Sequence, residues 1–260
     1  MGINVGKQPD LNANQFFEAT EVLNLTQRQA VYALVKDLKA NSIWDKMTAI
    51  YPFVGASGDT HKYNLKNPTQ FTILFEGGWN HTATGAATNG IDTRGNTQIS
   101  PSAHLVQDDT HISIYARSTL GTRTSVNVDI GNRPGGFFLA ATWYGSNFLL
   151  SDIYSNSNRL TFSYPGGTTS TNGLGYFIFQ RTSPTSHTVY KNATLLGTNS
   201  SNTGGTLPSA QMWIGANGQI SEWSDREYSF ISFGRGFTPT EVTTLTSIIQ
   251  TYQTALSRQI

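Results

Sequence analysis

Apolar and polar side chains alternate along the stretch HISIYAR, residues 111–117. In an extended chain Ile112, Ile114 and Ala116 lie on one face, and the residues between them lie on the other. A half-buried antiparallel strand requires this period of two, because one face packs on a core while the other meets solvent. The stretch therefore predicts a β-strand.

Similar short runs recur on both sides of this stretch, from about residue 62 to about residue 233. Gly, Asn, Ser, Thr and Pro separate them, and no helical period intervenes. Many short strands with this spacing are typical of an antiparallel two-sheet sandwich. The predicted strands are residues 71–76, 111–117, 125–130, 137–143, 148–153, 159–164, 176–181, 187–191, 194–196, 212–214 and 228–233.

Helices are predicted near both ends of the chain. Residues 1–14 read as an extended polar arm, and Thr26 with Gln29 forms a capping-box pattern that opens a helix ending near Asn41. A second capping box, in TPTE at residues 238–241, opens a helix that runs toward the last residues. These patterns divide the chain into three predicted parts: an arm and helical attachment segment at 1–55, a jelly-roll sandwich at 56–236, and a helix packed on the sandwich at 237–260.

The apolar stripe of the first helix has two interpretations. Its spacing of i, i+3, i+4 and i+7 indicates one buried face. That face can pack on the sheets of its own chain or dock on a neighbouring subunit, since packing is what stabilises a short helix. The candidate docking residues are Val31, Leu34, Val35 and Leu38.

The composition favours neutral polar surfaces. Charged residues make up 13% of the 260 residues, about half of the roughly 25% that is usual in soluble domains. Thr, Ser and Asn number 34, 24 and 20, so neutral hydrogen-bonding groups replace charge over much of the surface. The 14 Phe, 11 Tyr and 5 Trp residues supply the large apolar groups that a disordered chain lacks.

The same composition excludes several classes of function. A formal net charge of +1 argues against nucleic-acid binding, which needs clustered positive charge. The absence of Cys excludes disulfides and thiolate nucleophiles. No apolar run approaches the roughly 18 residues of a membrane-spanning helix, and the first residues lack the apolar run of a signal peptide. We therefore expect no nucleic-acid partner and no membrane insertion.

Several segments of the last seventy residues together resemble concanavalin A-like jelly rolls of the laminin-G-like group. They are the hairpin TVYKNATLLG at residues 188–197, WIGA at 213–216, YSFISF at 228–233 and GRGFTPTE at 234–241. In the hairpin, Ala193 stands where this group usually has Gly. The resemblance implies a concanavalin A-like sandwich.

Two other segments, residues 38–55 and 252–260, resemble bacteriophage and prophage structural proteins in which a helical lead-in precedes such a jelly roll. This resemblance implies a virion component that is assembled in the host cytoplasm and exposed outside the particle. It leaves capsid decoration, head fibre and tail open as locations. The implied partners are other virion proteins and further copies of the chain, since virion parts are multiplied by symmetry.

Aromatic side chains next to amides and hydroxyls suggest glycan binding. Rings stack on sugar faces, and neutral polar groups bond the sugar oxygens. Two polar loops and the residues around Trp143 offer this combination, although Trp143 is also a candidate for the core. The candidate glycan-binding residues are Trp79, Asn80, His81, Trp143, Tyr144 and Trp223.

Catalytic and metal sites are weaker interpretations. Glu222, Asp225 and Glu227 lie close in sequence, but their spacing does not match the paired carboxylates of the family's glycosidases. Asp108–Asp109 beside His111, and Asp152 near Asn156, are the clusters that could bind calcium. We expect no catalytic residue, no resident metal and no cofactor, with calcium left open.

The sequence thus predicts a non-enzymatic virion structural or adhesion protein whose jelly roll either contacts glycans on the host surface or simply coats the particle. The alternatives are a free carbohydrate-binding lectin and, less favoured, a glycan hydrolase.

Overall fold

The computed structural model describes residues 10–22, 24–119, 127–132, 137–143, 148–154, 160–163, 173–200, 206–218 and 222–260. Its three long helices lie near the two ends of the chain, and two single-turn helices lie in connections between strands. The helices are α1 (Leu11–Thr20), α2 (Leu25–Ala40), α3 (Gly58–His61), α4 (Pro101–His104) and α5 (Pro239–Ala255).

Fifteen strands are seen in the described residues. They are β1 (Met47–Tyr51), β2 (Leu74–Glu76), β3 (Asn80–Thr82), β4 (Gly85–Ala87), β5 (Arg94–Asn96), β6 (Thr110–Ala116), β7 (Ile130–Asn132), β8 (Phe137–Trp143), β9 (Phe148–Ile153), β10 (Leu160–Ser163), β11 (Gly175–Ser183), β12 (Ser186–Lys191), β13 (Thr194–Asn199), β14 (Trp213–Ile214) and β15 (Glu227–Gly234).

The strands form two antiparallel sheets. The order in the first sheet is β13-β12-β11-β6-β15-β4-β3, with β1 paired to β15 off this path. The order in the second sheet is β10-β9-β8-β7-β14-β5-β2. Apolar side chains from both sheets meet in one core between them. The predicted fold class, a mainly β sandwich of jelly-roll type with helices at both ends, is confirmed.

A second core lies between the first sheet and the long helices. It joins Phe16 of α1, Leu34 of α2 and Ile249 of α5 to Tyr115 and Phe230 on the outer face of the first sheet. The molecule therefore has three layers, in which helices cover one sheet and the sandwich core lies behind it.

The strand β6 shows the effect of this third layer. Ile112 and Ile114 face the sandwich core, and Tyr115 faces the helices. All seven residues of β6 are buried. The predicted strand is confirmed, but the expectation of one solvated face is wrong, because the helices cover the face that alternation assigned to water.

Part of the predicted N-terminal arm is helical. The Asp10 side chain accepts hydrogen bonds from the amides of Asn12 and Ala13 at 2.9 and 3.4 Å, which caps α1. Ala13 and Phe16 are fully buried. The prediction of an extended chain is therefore wrong for residues 11–14, because packing on α2 and the first sheet stabilises a helix of only ten residues. Residues 1–9 lie outside the described part of the chain.

The helix α2 begins one residue earlier than its predicted cap. Asn24 is the N-cap, and its Oδ1 accepts from the amide of Gln27 at 3.0 Å, so the predicted capping box at Thr26 is wrong. The predicted end is correct: α2 stops at Ala40 and Asn41 follows as the C-cap. The left-handed residue is the next one, Ser42, with φ 58°.

The predicted docking face of α2 is buried inside the chain. Val31, Leu34, Val35 and Leu38 are each at most 2% exposed and pack in the core between the helices and the first sheet. The docking interpretation is therefore corrected: these side chains are inaccessible to a partner, and the other interpretation, folding back on the chain's own sheet, describes the structure.

The C-terminal helix begins as predicted. The Thr238 hydroxyl accepts from the amide of Glu241 at 3.3 Å, and the amide of Thr238 donates to Glu241 Oε2 at 2.8 Å. The helix packs on α2 and on β15, where Tyr252 lies edge-on to Phe230. Within the described residues, no helix combines the length and apolarity needed to cross a membrane.

Candidate functional site

The outer face of the second sheet is the sheet surface that the long helices leave free. None of its described residues belongs to the core under the helices. On strands β2, β5 and β14, Leu74, Asn96 and Trp213 are direct cross-strand neighbours, while Phe75 and Ile214 point into the sandwich core. We call the outward-facing residues of these three strands, together with Trp223, the open face.

Arg94 lies at the centre of the open face. Its guanidinium carbon is 5.4 Å from the ring centroid of Trp213 and 5.6 Å from that of Trp223. Glu76, its cross-strand neighbour, accepts from Arg94 Nε at 2.7 Å and lies 2.6 Å from Nη2. The ion pair fixes the plane of the guanidinium, and cation–π attraction draws the two indoles toward it.

A buried ion pair holds the segment that carries Trp223. Arg226 Nη1 lies 3.0 Å from Asp129 Oδ2, and both side chains are inaccessible to solvent. The other carboxylate oxygen accepts from Tyr228 at 2.7 Å and from Ser224 at 3.2 Å. Removing one partner of such a pair leaves a buried charge without its counterion, which is costly. The network therefore fixes the backbone on the C-terminal side of Trp223.

Backbone hydrogen bonds fix the same segment on both sides of Trp223. The amide of Val128 donates to the Glu222 carbonyl at 3.0 Å, and the amide of Ser224 donates to the Gly215 carbonyl at 2.8 Å. These bonds tie Trp223 to the ends of β7 and β14, the second of which carries Trp213. The indole is thus positioned before any ligand arrives.

Amide and apolar groups complete the open face. Asn96 Nδ2 donates to Gln211 Oε1 at 2.7 Å, and Leu74 is 52% exposed. The Trp223 indole and the Leu74 side chain can pack against the C–H faces of a ring, whereas Trp213 is only 5% exposed. Amides, carboxylate and guanidinium can exchange hydrogen bonds with hydroxyls. This combination suits a polyhydroxylated ligand that has both apolar and polar faces.

The predicted loop at Trp79 borders the open face from the inside. Trp79 Nε1 donates to the Arg94 carbonyl at 3.0 Å, and its ring lies 5.0 Å from Phe75 at the edge of the sandwich core. Asn80 is exposed, and His81 turns toward His61. The indole N–H of Trp79 is thus engaged within the chain, and its ring supports the strand that carries Arg94.

Two histidines that are distant in sequence meet behind this loop. His61 Nδ1 lies 3.0 Å from His81 Nδ1, so one ring donates and the other accepts. Burial lowers the pKa of His61 to about 3, with His81 and Arg258 adding to the effect, and burial also lowers the pKa of His81. Both rings are therefore neutral near pH 7. Sequence analysis did not predict this pair, because its members are 20 residues apart.

The remaining predicted positions do not join the open face by any described contact. Trp143 is the last residue of β8, where its backbone pairs with Phe148. Tyr144 lies outside the described residues. Among the candidates from sequence, the structure therefore brings Trp223 to the open face and Trp79 beside it.

The suggested acidic sites are engaged in other contacts. Asp109 lies 2.6 Å from Arg235 Nη2 and accepts from the amide of Gly236 at 2.8 Å. Asn156, the predicted partner of Asp152, lies outside the described part of the chain. Within that part, no three His, Asp or Glu side chains converge in a way that could hold a metal ion.

Sequence reasoning missed Arg94, Glu76 and Trp213. The outward direction of Trp213 could have been inferred, because it alternates with Met212 and Ile214, both of which face the core. Arg94 and Glu76 carried no such signal, since β5 is only three residues long and reads RGN.

Comparisons with known proteins bear on the fold. No family model matches the sequence, and no curated protein matches it. Among solved structures, the chain is similar to the binding domain of botulinum neurotoxin DC in complex with rat synaptotagmin II, with a TM-score of 0.54 and 15% identity over 80% of this chain and 52% of that one. The chain is also similar to botulinum neurotoxin type C, whose cell entry depends on interaction with two ganglioside molecules. That comparison gives a TM-score of 0.53 and 13% identity over 81% of this chain and 53% of the neurotoxin chain.

A third similar structure is a mutant of Trypanosoma rangeli sialidase displaying trans-sialidase activity, with a TM-score of 0.52 and 12% identity over 86% of this chain and 39% of that one. The chain thus spans about half or less of each of these three proteins. At such identities the likeness establishes the β-sandwich fold.

Proposed function

We propose that this protein is a non-enzymatic glycan-binding module and that it binds sugars through the open face. The observation that carries the proposal is the placement of the half-buried Trp223 beside Arg94 on the sheet surface that the helices leave free; Arg94 also lies over Trp213, which is itself buried. Aromatic rings held in place before binding gain affinity, because less side-chain freedom is lost when the ligand arrives. Glycan contact is also a property of a structural relative, the neurotoxin that interacts with gangliosides.

The engagement of the nearby carboxylates supports a binding role over a hydrolytic one. Glycoside hydrolysis needs two carboxyl groups free to act on either side of the scissile bond. Here Glu76 pairs with Arg94, Glu222 accepts a hydrogen bond from Asn217, and Glu227 bonds Thr84 and Arg117. Each of these groups serves the chain's own structure.

We further propose that the module is a structural or adhesion component on the exterior of a phage particle, present there in several copies. The support is the resemblance of residues 38–55 and 252–260 to phage structural proteins. These two segments also form one unit: Arg258 donates to the carbonyls of Pro52 and Phe53 at 2.7 Å each, and the Tyr252 hydroxyl donates to the Pro52 carbonyl at 2.9 Å.

A glycan array tests the binding role. We expect the wild type to bind a reproducible set of glycans, and Trp223→Ala to lose that binding. Two leucines with similar exposure show which surface binds the glycan. Leu74 is 52% exposed on the open face, and Leu195 is 49% exposed on β13 of the other sheet. Leu74→Ala should weaken binding and Leu195→Ala should not. Silence on the array, or equal loss with both leucine variants, would contradict the proposal.

Immunogold electron microscopy of purified particles tests the location. Labelling at a fixed place on the particle surface supports the virion role. Glycan binding by a protein that never associates with particles would favour a free lectin. Release of reducing ends from any array-positive glycan, lost in Glu227→Gln, would favour the hydrolase.

A further inference from the structure

We propose that the open face selects uncharged glycans and discriminates against glycans that carry carboxylates. This inference rests on the proposed function and concerns the ligand class of the same surface. Its basis is the distribution of charge around Arg94.

The positive charge of Arg94 is already paired. Its Nε and Nη2 both contact Glu76 Oε2, at 2.7 and 2.6 Å, and the two side chains are 25% and 45% exposed. A ligand carboxylate has two routes to this guanidinium. It must either displace Glu76, which breaks a charge-assisted contact, or approach while Glu76 stays, which brings two like charges together.

Other charges around the open face are acidic. Asp92 lies beside Gly77, the residue after Glu76, with its Oδ1 within 3.0 Å of where a Cβ at Gly77 would stand. Glu222 directly precedes Trp223 in sequence. Among the described residues of β2, β5, β14, 89–93 and 222–225, Arg94 is the one cation. The charges of Glu76, Asp92, Glu222 and Arg94 therefore sum to a negative value, which repels an anionic ligand.

A neutral glycan does not meet this penalty. Its hydroxyls can donate to Glu76 and accept from Arg94 without breaking the pair, and the Asn96 and Gln211 amides offer further partners of both kinds. Stacking on the Trp223 indole and on Leu74 does not depend on ligand charge. Gangliosides carry carboxylates on their sialic acid residues, so this selectivity would separate the protein from its neurotoxin structural relative.

Matched glycan pairs test the inference. The probes are sialyl-N-acetyllactosamine as its methyl ester and as its free acid, and methyl-esterified pectin with polygalacturonate, so that each pair differs mainly in the carboxylate. For each pair that binds, we expect the Kd of the neutral member to be at least about tenfold lower than that of the acidic member. Raising NaCl from about 0.05 to about 0.5 M should change the Kd for the neutral member less than about twofold.

The variant Glu76→Gln removes the counterion of Arg94 and keeps the size of the side chain. We expect it to bind the acidic member about tenfold more tightly than the wild type does. The matched control is Asp109→Asn, which removes the counterion of Arg235 at the end of β15 in the first sheet, and we expect that variant to retain the wild-type preference.

Equal or tighter binding of the acidic members by the wild type would overturn the inference and leave the proposed function standing. An unchanged preference in Glu76→Gln would also overturn it. Failure of every array glycan and every probe pair to bind would overturn the proposed function and this inference together.

Discussion

Arg258 is a fully buried cation whose guanidinium bonds oxygens from several segments of the chain. Nη1 donates to the Phe53 carbonyl at 2.7 Å, and Nη2 donates to the carbonyls of Pro52 and Ser229 at 2.7 and 2.9 Å. Nε donates to Gln253 at 2.6 Å. The fixed fork of donors joins the last turn of the chain to β15 and to the residues after β1, and a lysine cannot reproduce it.

We therefore expect Arg258→Lys to lower the free energy of unfolding by about 2–4 kcal/mol, because several carbonyls lose their donors while a charge stays buried. Urea unfolding followed by far-UV circular dichroism measures this change. The control is Arg235→Lys, at an exposed ion pair, which should change stability by less than about 1 kcal/mol. Equal effects of the two substitutions would contradict this role of Arg258.

Single residues also mark the limit of sequence reasoning about the candidate site. Trp223 was predictable, since a tryptophan in a polar segment has no evident core to join. Arg94 was not, because its role depends on Glu76, which is 18 residues away, and on Trp213, which is more than 100 residues away. Such contacts depend on strand order, which a single sequence does not reveal.

Elements with strong local signals were the predictable ones. The strand β6 has strict alternation and α5 has a complete capping box, and both lie close to where the sequence predicts them. The elements that sequence analysis missed include α1, β1 and the three-residue strands β3, β4 and β5. These are stabilised by neighbours from elsewhere in the chain, as when β1 pairs with β15, so local pattern carries little information about them.

The turn of the hairpin between β12 and β13 is strained. Asn192 and Ala193 both have positive φ, 46° and 67°, which is the pattern of a type I′ turn. Asn tolerates this region well and Ala does not, because its Cβ approaches the backbone carbonyl. The resemblance to jelly rolls with Gly at this position indicated the same conflict.

We expect Ala193→Gly to raise the free energy of unfolding by about 0.5–1 kcal/mol, since relief of the left-handed conformation outweighs the added freedom of the unfolded chain. Thermal unfolding measures the change as a higher Tm. Ala193→Val serves as the opposite control and should lower the Tm, because a β-branched side chain fits positive φ poorly. A lower Tm for Ala193→Gly would exclude strain at this turn.

At the scale of the whole molecule, three buried histidines couple stability to pH. Burial lowers the pKa of His61 to about 3, of His111 to about 4 and of His187 to about 3. The unfolded chain binds these protons near pH 6.5 and the folded chain does not. The free energy of unfolding is therefore highest above about pH 6.5, and it decreases as the pH falls toward the pKa values of the folded state.

At pH 5 each of these histidines should lower the free energy of unfolding by about 2 kcal/mol, and the total is comparable with the stability of a whole domain. Urea titrations between pH 7.5 and pH 5 measure the slope. His61→Gln should flatten it, because one of the three buried rings is removed. A stability that stays constant down to pH 5 would contradict the burial of these rings.

The three-layer architecture also lay beyond sequence reasoning. Period-two strands and terminal helices predicted a sandwich with helical ends, which is correct. The sequence could not show which sheet the helices cover, because the apolar stripes of α2 and α5 fit any apolar surface. That choice decides which sheet face stays open, and therefore where a ligand can bind.

Calorimetric titration with the strongest neutral glycan from the array tests the central claim most directly, in wild-type protein and in Trp223→Ala. We predict saturable binding by the wild type and a Kd at least about tenfold weaker in the variant, because a preorganised stacking ring is lost. An identical Kd for the two proteins, or the absence of saturable heat with the wild type, would contradict the claim that this face binds sugars.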